Sequence, residues 1–392
     1  MSRIKILIVE DDPAQIDTWK KQITRNNALN NVDYSADYAK SHEKAVELIE
    51  LNKYDAAIVD IRLQSSTGVN DVTTGGNDVR DLLLKSEIVL IAHVTGEPSA
   101  VDFGESKYKD LVRVFTKADT LTDEKSTHDE VLEWLGDKSK IIQAMQKVKE
   151  NISSKMADLF YLSIWPRWDG WQATGDENEE FIPSSITRHI TSHLYSTFLE
   201  EDGGKVHPEE WYFQPPSSSR FHTGDLIFYE GEYCVLVTPR CDLERLNKGD
   251  KLLFAKMVVA ERWPEEKKAV DEKVSNLRAQ SLDPNIDEAK RVKINKDIYK
   301  AYARFRKDYY GHDNGKFNLH FLPEVNQSVD NVHGPFFVDF SNIHTVIFGT
   351  EKSNYMLNNK IAALSPEFLP ALVQRLGTFI SRIGSPDYSH IA

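Results

Sequence analysis

The run Ile4-Lys5-Ile6-Leu7-Ile8-Val9, followed at once by Glu10-Asp11-Asp12, constrains the fold of this chain more than any other feature. β-Branched apolar residues dominate the run, so a strand here is covered on both faces, as in the parallel sheets of α/β proteins. Pro13 then opens a helical stretch, near the first turn, where its missing N–H costs nothing. Apolar runs return at residues 56–59, 88–94 and 112–115, with helical patterns such as 41–51 and 78–84 between them. Strands separated by helices imply βαβ units and a doubly wound parallel sheet.

Residues 64–77, polar and glycine-rich, interrupt this pattern directly after the 56–59 strand. A long loop inside a compact domain usually has a function. Residues 138–165 read as one helix ended by Pro166, with Ile141, Met145, Val148, Ile152, Met156 and Leu159 in a heptad-like stripe. Such a stripe serves either packing on its own chain or the seam of a homodimer. Residues 184–199 also show helical periodicity, and Pro215-Pro216-Ser217-Ser218-Ser219 reads as a boundary. Beyond it short strand-like segments take over, at 225–229, 233–238, 251–259, 317–322, 336–340 and 344–348. They imply a small β-barrel or curled sheet. A charged helical insertion near 263–311 and a last helix at 366–383 make the region α+β.

The net charge of −13 divides into −7 over residues 1–150, −7 over 151–219 and +1 over 220–392. An acidic balance disfavours non-specific nucleic-acid binding, which phosphate contacts dominate. No apolar stretch approaches the length of a membrane-spanning helix. Two cysteines, Cys234 and Cys241, build no disulfide framework. A cytoplasmic location is the expectation.

Glu10, Asp11, Asp60, Thr95 and Lys117 all fall at the ends of expected strands, where open α/β sheets gather their ligand and catalytic groups. Crowded carboxylates need a cation, and a hard ion with oxygen ligands, such as Mg2+, fits. An aspartate nucleophile forms an acyl phosphate. A lysine neutralises phosphoryl charge, and a threonine hydroxyl bonds a phosphoryl oxygen.

The segments Ile6-Leu7-Ile8-Val9-Glu10-Asp11-Asp12, Ala57-Ile58-Val59-Asp60-Ile61-Arg62-Leu63, Val94-Thr95-Gly96-Glu97 and Phe115-Thr116-Lys117 resemble, in order and spacing, the signature segments of response-regulator receiver domains. The resemblance covers about a third of the chain. The residue pattern divides the rest of the chain into a helical linker region over 138–219 and an effector domain over 220–392, and the resemblance implies a five-stranded receiver domain over 1–137. It also implies Glu10 and Asp11 as the acidic pair, Asp60 as phosphoacceptor, Thr95 as switch hydroxyl and Lys117 as the phosphate-contacting lysine. The Arg62 carbonyl would complete a Mg2+ site with Glu10, Asp11 and Asp60. The partner implied is a sensor histidine kinase or phosphotransfer protein. Three positions depart from the family pattern: the long 64–77 loop, Ala118 after the lysine, and Val114 in place of the usual switch aromatic, with Phe115 one residue later.

The C-terminal half has no helix–turn–helix, Walker or histidine-kinase pattern. Its most unusual stretch, Val235-Leu236-Val237-Thr238-Pro239-Arg240-Cys241-Asp242-Leu243, ends in a turn that presents Cys241 and Asp242. With His207, His222, His320, His333 or His344 these could assemble a metal site or thiol nucleophile, although no metal-ligand spacing accompanies them. Tyr299, Tyr302, Phe305, Tyr309 and Tyr310 interleave with Arg304, Arg306 and Lys307, which fits an amphipathic helix with a buried aromatic face. The first functional reading is a response regulator. The alternatives are a receiver-regulated nuclease or hydrolase and a phosphorylation-independent scaffold.

Overall fold

The computed structural model describes residues 3–29, 32–64, 72–73, 75–86, 88–102, 112–117, 125–173, 181–201, 206–217, 219–283, 286–311, 317–328 and 330–381. The chain forms two compact units, Met1–Gly203 and Gly204–Ala392.

The first unit begins with β1 (Ile4–Val9), α1 (Pro13–Leu29), β2 (Tyr34–Ala39), α2 (His42–Leu51) and β3 (Ala56–Val59). A short hairpin follows, β4 (Leu63–Gln64) against β5 (Val72–Thr73), then α3 (Gly75–Ser86), β6 (Leu90–Thr95) and β7 (Val112–Thr116). Five of these strands form a parallel sheet in the order β2-β1-β3-β6-β7. That is the doubly wound order of flavodoxin-like and receiver folds. One face of the sheet packs Ile6, Ile8, Ile58 and Val94 against Trp19 and Ile23 of α1 and Val131, Leu132 and Leu135 of α4 (Thr127–Asp137). The other packs Leu7, Val9, Val59 and Ile91 against Ala45 and Ile49 of α2 and Val79 and Leu83 of α3. β2 escapes the sequence pattern because it is an edge strand: only Tyr34 and Ala39 are buried, so no apolar run marks it.

α5 (Ser139–Leu159) runs into a π-helical turn, Phe160–Ile164, and a 3₁₀ turn, Trp165–Arg167. α6 (Trp168–Ala173) and α7 (Phe181–Glu201) complete the unit. Pro166 therefore does not end the helical path, as the sequence led us to expect. It sits in the first turn of the 3₁₀ segment, where its missing N–H is not needed.

The second unit is built on an open, curled, antiparallel sheet. Its elements are β8 (Tyr212–Phe213), β9 (Asp225–Tyr229), β10 (Glu232–Leu236), α8 (Arg240–Leu243), β11 (Lys251–Val259), α9 (Trp263–Ser281) and α10 (Glu288–Tyr310). Next come β12 (Leu319–Leu322), β13 (Val325–Ser328), β14 (Asn331–His333), β15 (Phe336–Ile347), α11 (Glu351–Asn358), β16 (Lys360–Leu364) and α12 (Leu369–Ile380). Seven strands pair in the order β12-β15-β11-β10-β9-β16-β8, while β13 and β14 form a separate ribbon. Glu230 and Gly231 both take positive φ, the two-residue turn that matches the twist of the β9–β10 hairpin. β15 is one strand where the sequence shows two. A register jump opposite Ala255 and Lys256 places the extra residues in a bulge and lets the strand continue. The 263–311 insertion is a helical hairpin whose Trp263, Phe305 and Tyr309 pack on Phe321 and Phe337 of the sheet, with Arg304, Arg306 and Lys307 exposed.

Candidate functional site: an acidic pocket at the strand ends

Four parallel strands deliver the pocket. Glu10 follows β1, Asp60 follows β3, Thr95 ends β6 and Lys117 follows β7. Backbone bonds continue the ladder past the strands: Glu10 N–H to Ala39 O at 3.0 Å, Asp60 N–H to Val9 O at 2.9 Å, and Lys117 N–H to Thr95 O at 2.9 Å. The side chains therefore start from a rigid edge.

Lys117 joins the pocket together. Its ammonium lies 2.7 Å from Asp60 Oδ2 and 2.9 Å from Glu10 Oε2. Glu10, Asp60 and Thr95 are buried. Burial pushes the Glu10 carboxyl above its ordinary value, and the Lys117 ammonium, opposed by Asp60, only partly restrains that rise. Burial by itself would lower the Lys117 pKa, but its bonds to Asp60 and Glu10 outweigh it and the net direction is upward. Ligand atoms of Glu10, Asp11 and Asp60 all lie within 4.8 Å of one another, the only such group of three His, Cys, Asp or Glu among the described residues. Three carboxylates against one ammonium leave a surplus of negative charge, and an all-oxygen donor set suits a hard divalent cation.

The rest of the pocket is backbone and hydroxyl. The Arg62 N–H points to Asp60 Oδ1 at 3.4 Å, while the Arg62 guanidinium reaches out to pair with the Glu97 carboxylate. The Thr95 hydroxyl accepts the Glu97 N–H at 3.1 Å. Phe115 is packed in the core, edge-on to Trp134. Ala118 lies outside the described residues, as do residues 65–71 and 74 of the expected loop.

Two features had no signal in the pattern of strands and helices. Gly76, at the start of α3, donates its N–H to Ile61 O at 3.1 Å and seats the helix on the Asp60–Ile61 backbone. The Arg62–Glu97 pair links two strand-end loops that composition alone leaves unrelated.

The structure does not bring a histidine into a three-ligand group with Cys241 and Asp242 among the described residues. Cys241 is exposed, with Sγ 3.5 Å from Asp242 Oδ1. Most of the histidines have other partners: His207 caps a turn, His320 meets Arg375, His333 bonds Tyr233 and His344 stacks on Phe254. The turn itself serves the curled sheet. The Thr238 hydroxyl accepts the Leu253 N–H at 2.7 Å, and its carbonyl accepts the Thr223 hydroxyl at 2.6 Å. Arg240, Leu243 and Glu244 line one side of a cleft of about 740 Å³.

No protein-family model matches this sequence, and no curated protein matches it either. Solved structures do resemble its first part. A response regulator of Thermotoga maritima in complex with Mg2+ and BeF matches at 18% identity over 36% of this chain and 98% of its own, with a TM-score of 0.24. A CheY-like receiver domain from Methanospirillum hungatei matches at 18% identity over 37% and 99%, with a TM-score of 0.27. A response regulator from Burkholderia pseudomallei with a phosphorylated aspartic acid, calcium ion and citrate matches at 18% identity over 40% and 85%, with a TM-score of 0.25. Among the described residues no helix is long and apolar enough to cross a membrane. The strand order, together with the acidic pocket at the carboxyl edge of the sheet, gives the first unit the receiver fold.

Proposed function

We propose that the chain is a response regulator in which Asp60 accepts a phosphoryl group from the phosphohistidine of a sensor kinase or phosphotransfer protein, and that residues 204–392 act as its effector. The observation that carries this reading is the Lys117 ammonium held between Asp60 and Glu10, with Asp11 completing a three-carboxylate cluster. In the transfer, an Asp60 carboxylate oxygen bonds to phosphorus as the phosphorus–nitrogen bond breaks and its electron pair stays on the departing imidazole. Lys117 offsets charge on the phosphoryl oxygens. The Thr95 hydroxyl turns to donate to one of them. Glu10, Asp11, Asp60 and the Arg62 carbonyl would hold Mg2+, which when bound neutralises charge on the phosphoryl group. Two copies pair along α5, whose Ile141, Val148, Ile152 and Met156 are exposed at heptad-like spacing.

Acetyl phosphate with Mg2+ tests the first claim. Intact-mass spectrometry should show one added phosphoryl group on the wild type and none on Asp60→Asn, which keeps the shape and removes the nucleophile. Equal labelling of both, or of neither, would overturn the reading.

A further inference from the structure

Helix α7 carries His189-Ile190-Thr191-Ser192-His193, which places two imidazoles one turn apart on one helix face. The apolar period of this helix carries no signal for the pair. The ring centres lie 4.4 Å apart. Trp171 of α6 meets the His189 ring edge-on at 5.4 Å. Ser163, in the π-helical turn after α5, brings its Oγ to 3.1 Å from His189 Nε2. Arg167 fixes that serine by donating to its carbonyl at 2.7 Å and to its hydroxyl. Single π-helical turns inside longer helices are often found at functional sites.

We infer that His189 and His193 form a binding site for a divalent transition ion of the borderline class, Zn2+, Co2+, Ni2+ or Cu2+, separate from the hard-cation pocket at Asp60. Two histidines at this spacing on a helix converge on one ion. A metal held about 2.0–2.1 Å from one nitrogen of each ring, with the two bonds near a right angle, places the ring centres roughly this far apart. Imidazole nitrogen selects these ions over Mg2+, which keeps oxygen ligands and its water. No third His, Cys, Asp or Glu joins the pair among the described residues, so water fills the remaining positions. The Ser163 hydroxyl, already within bonding distance of His189, is placed to orient that ring or a metal-bound water. The Arg167 cation on the other side of Ser163 opposes the ion and keeps the site weaker than a structural zinc centre. The ion holds both rings on the face of α7 that meets the 160–164 turn, and so ties the two helical segments together.

Isothermal titration of the full chain with ZnCl2, and separately with NiCl2, tests this with the acidic pocket saturated by Mg2+. One saturable ion per chain is expected, at micromolar affinity, weakened about tenfold or more in His189→Ala and in His193→Ala. Both side chains reach the surface, so circular dichroism should show each variant folded. Asp60→Asn should bind the ion as the wild type does. Unaltered binding in the histidine variants, or binding lost in Asp60→Asn instead, would overturn the assignment. So would the absence of saturable binding to the wild type. Because Asp60→Asn is read separately by acetyl phosphate, failure here leaves the phosphoryl-transfer reading standing.

Discussion

A Cβ added at Gly76 would lie 2.1 Å from the Asp60 carbonyl oxygen and 2.6 Å from the Ile61 Cα, both backbone atoms of the strand end that carries Asp60. Neither can move without moving Asp60. Gly76→Ala should therefore cost about 1–3 kcal/mol or more in a urea melt, and should slow acetyl-phosphate labelling of Asp60. Gly96→Ala, whose added Cβ would meet nothing within 4 Å, is the matched control and should change stability little. Wild-type labelling in Gly76→Ala would show that the approach is relaxed in solution. The five polar residues were legible because a parallel sheet delivers all its carboxyl ends to one edge. The seating of Gly76 on the Asp60–Ile61 backbone was not, because the 64–77 stretch has no periodicity to say where the chain returns. Cys241 and Asp242 stood out in sequence, yet their local fold gives Thr238 the buried bonds and leaves Cys241 exposed.

α5 has little support from its own chain: of its 21 residues only Ile142 is buried. Ile152 is exposed and Met145 half-buried, so charges there disturb little inside one chain. Met145→Glu with Ile152→Glu should accordingly convert a dimer into a folded monomer that still labels at Asp60, as sedimentation and a melting curve would show. A large loss of melting temperature with no change in mass would mean instead that the stripe is buried within the chain, where unpaired carboxylates are costly. Helices with a clear apolar period were readable to within a few residues. The elements that were missed or misjudged depended on context: β2 on being an edge, β15 on its bulge, and Pro166 on the widened turn before it.

Each unit buries a carboxyl that burial pushes above its ordinary value, Glu10 in the first and Asp225 in the second. Asp225 and Lys360, both in Gly204–Ala392, form a buried ion pair at 3.2 Å. Burial pushes the Asp225 carboxyl up to about 6, against the opposing His222 N–H and Lys360. The folded unit thus holds this proton more tightly than the unfolded chain does. Its contribution is full below about pH 4 and is lost as pH rises through about 6, a change of about 2–3 kcal/mol. Urea unfolding of wild type and Asp225→Asn on either side of that window should show a pH slope in the wild type that the variant lacks; parallel slopes would contradict it. At the other unit, the pairing of Leu63 with Thr73 and of Gln64 with Val72 closes the 64–77 insertion at its root. The span between those pairs is consequently a graft point. Loop-closure entropy grows only slowly with length, so a peptide tag placed between Gln64 and Val72 should leave acetyl-phosphate labelling of Asp60 unchanged, as intact-mass spectrometry would show.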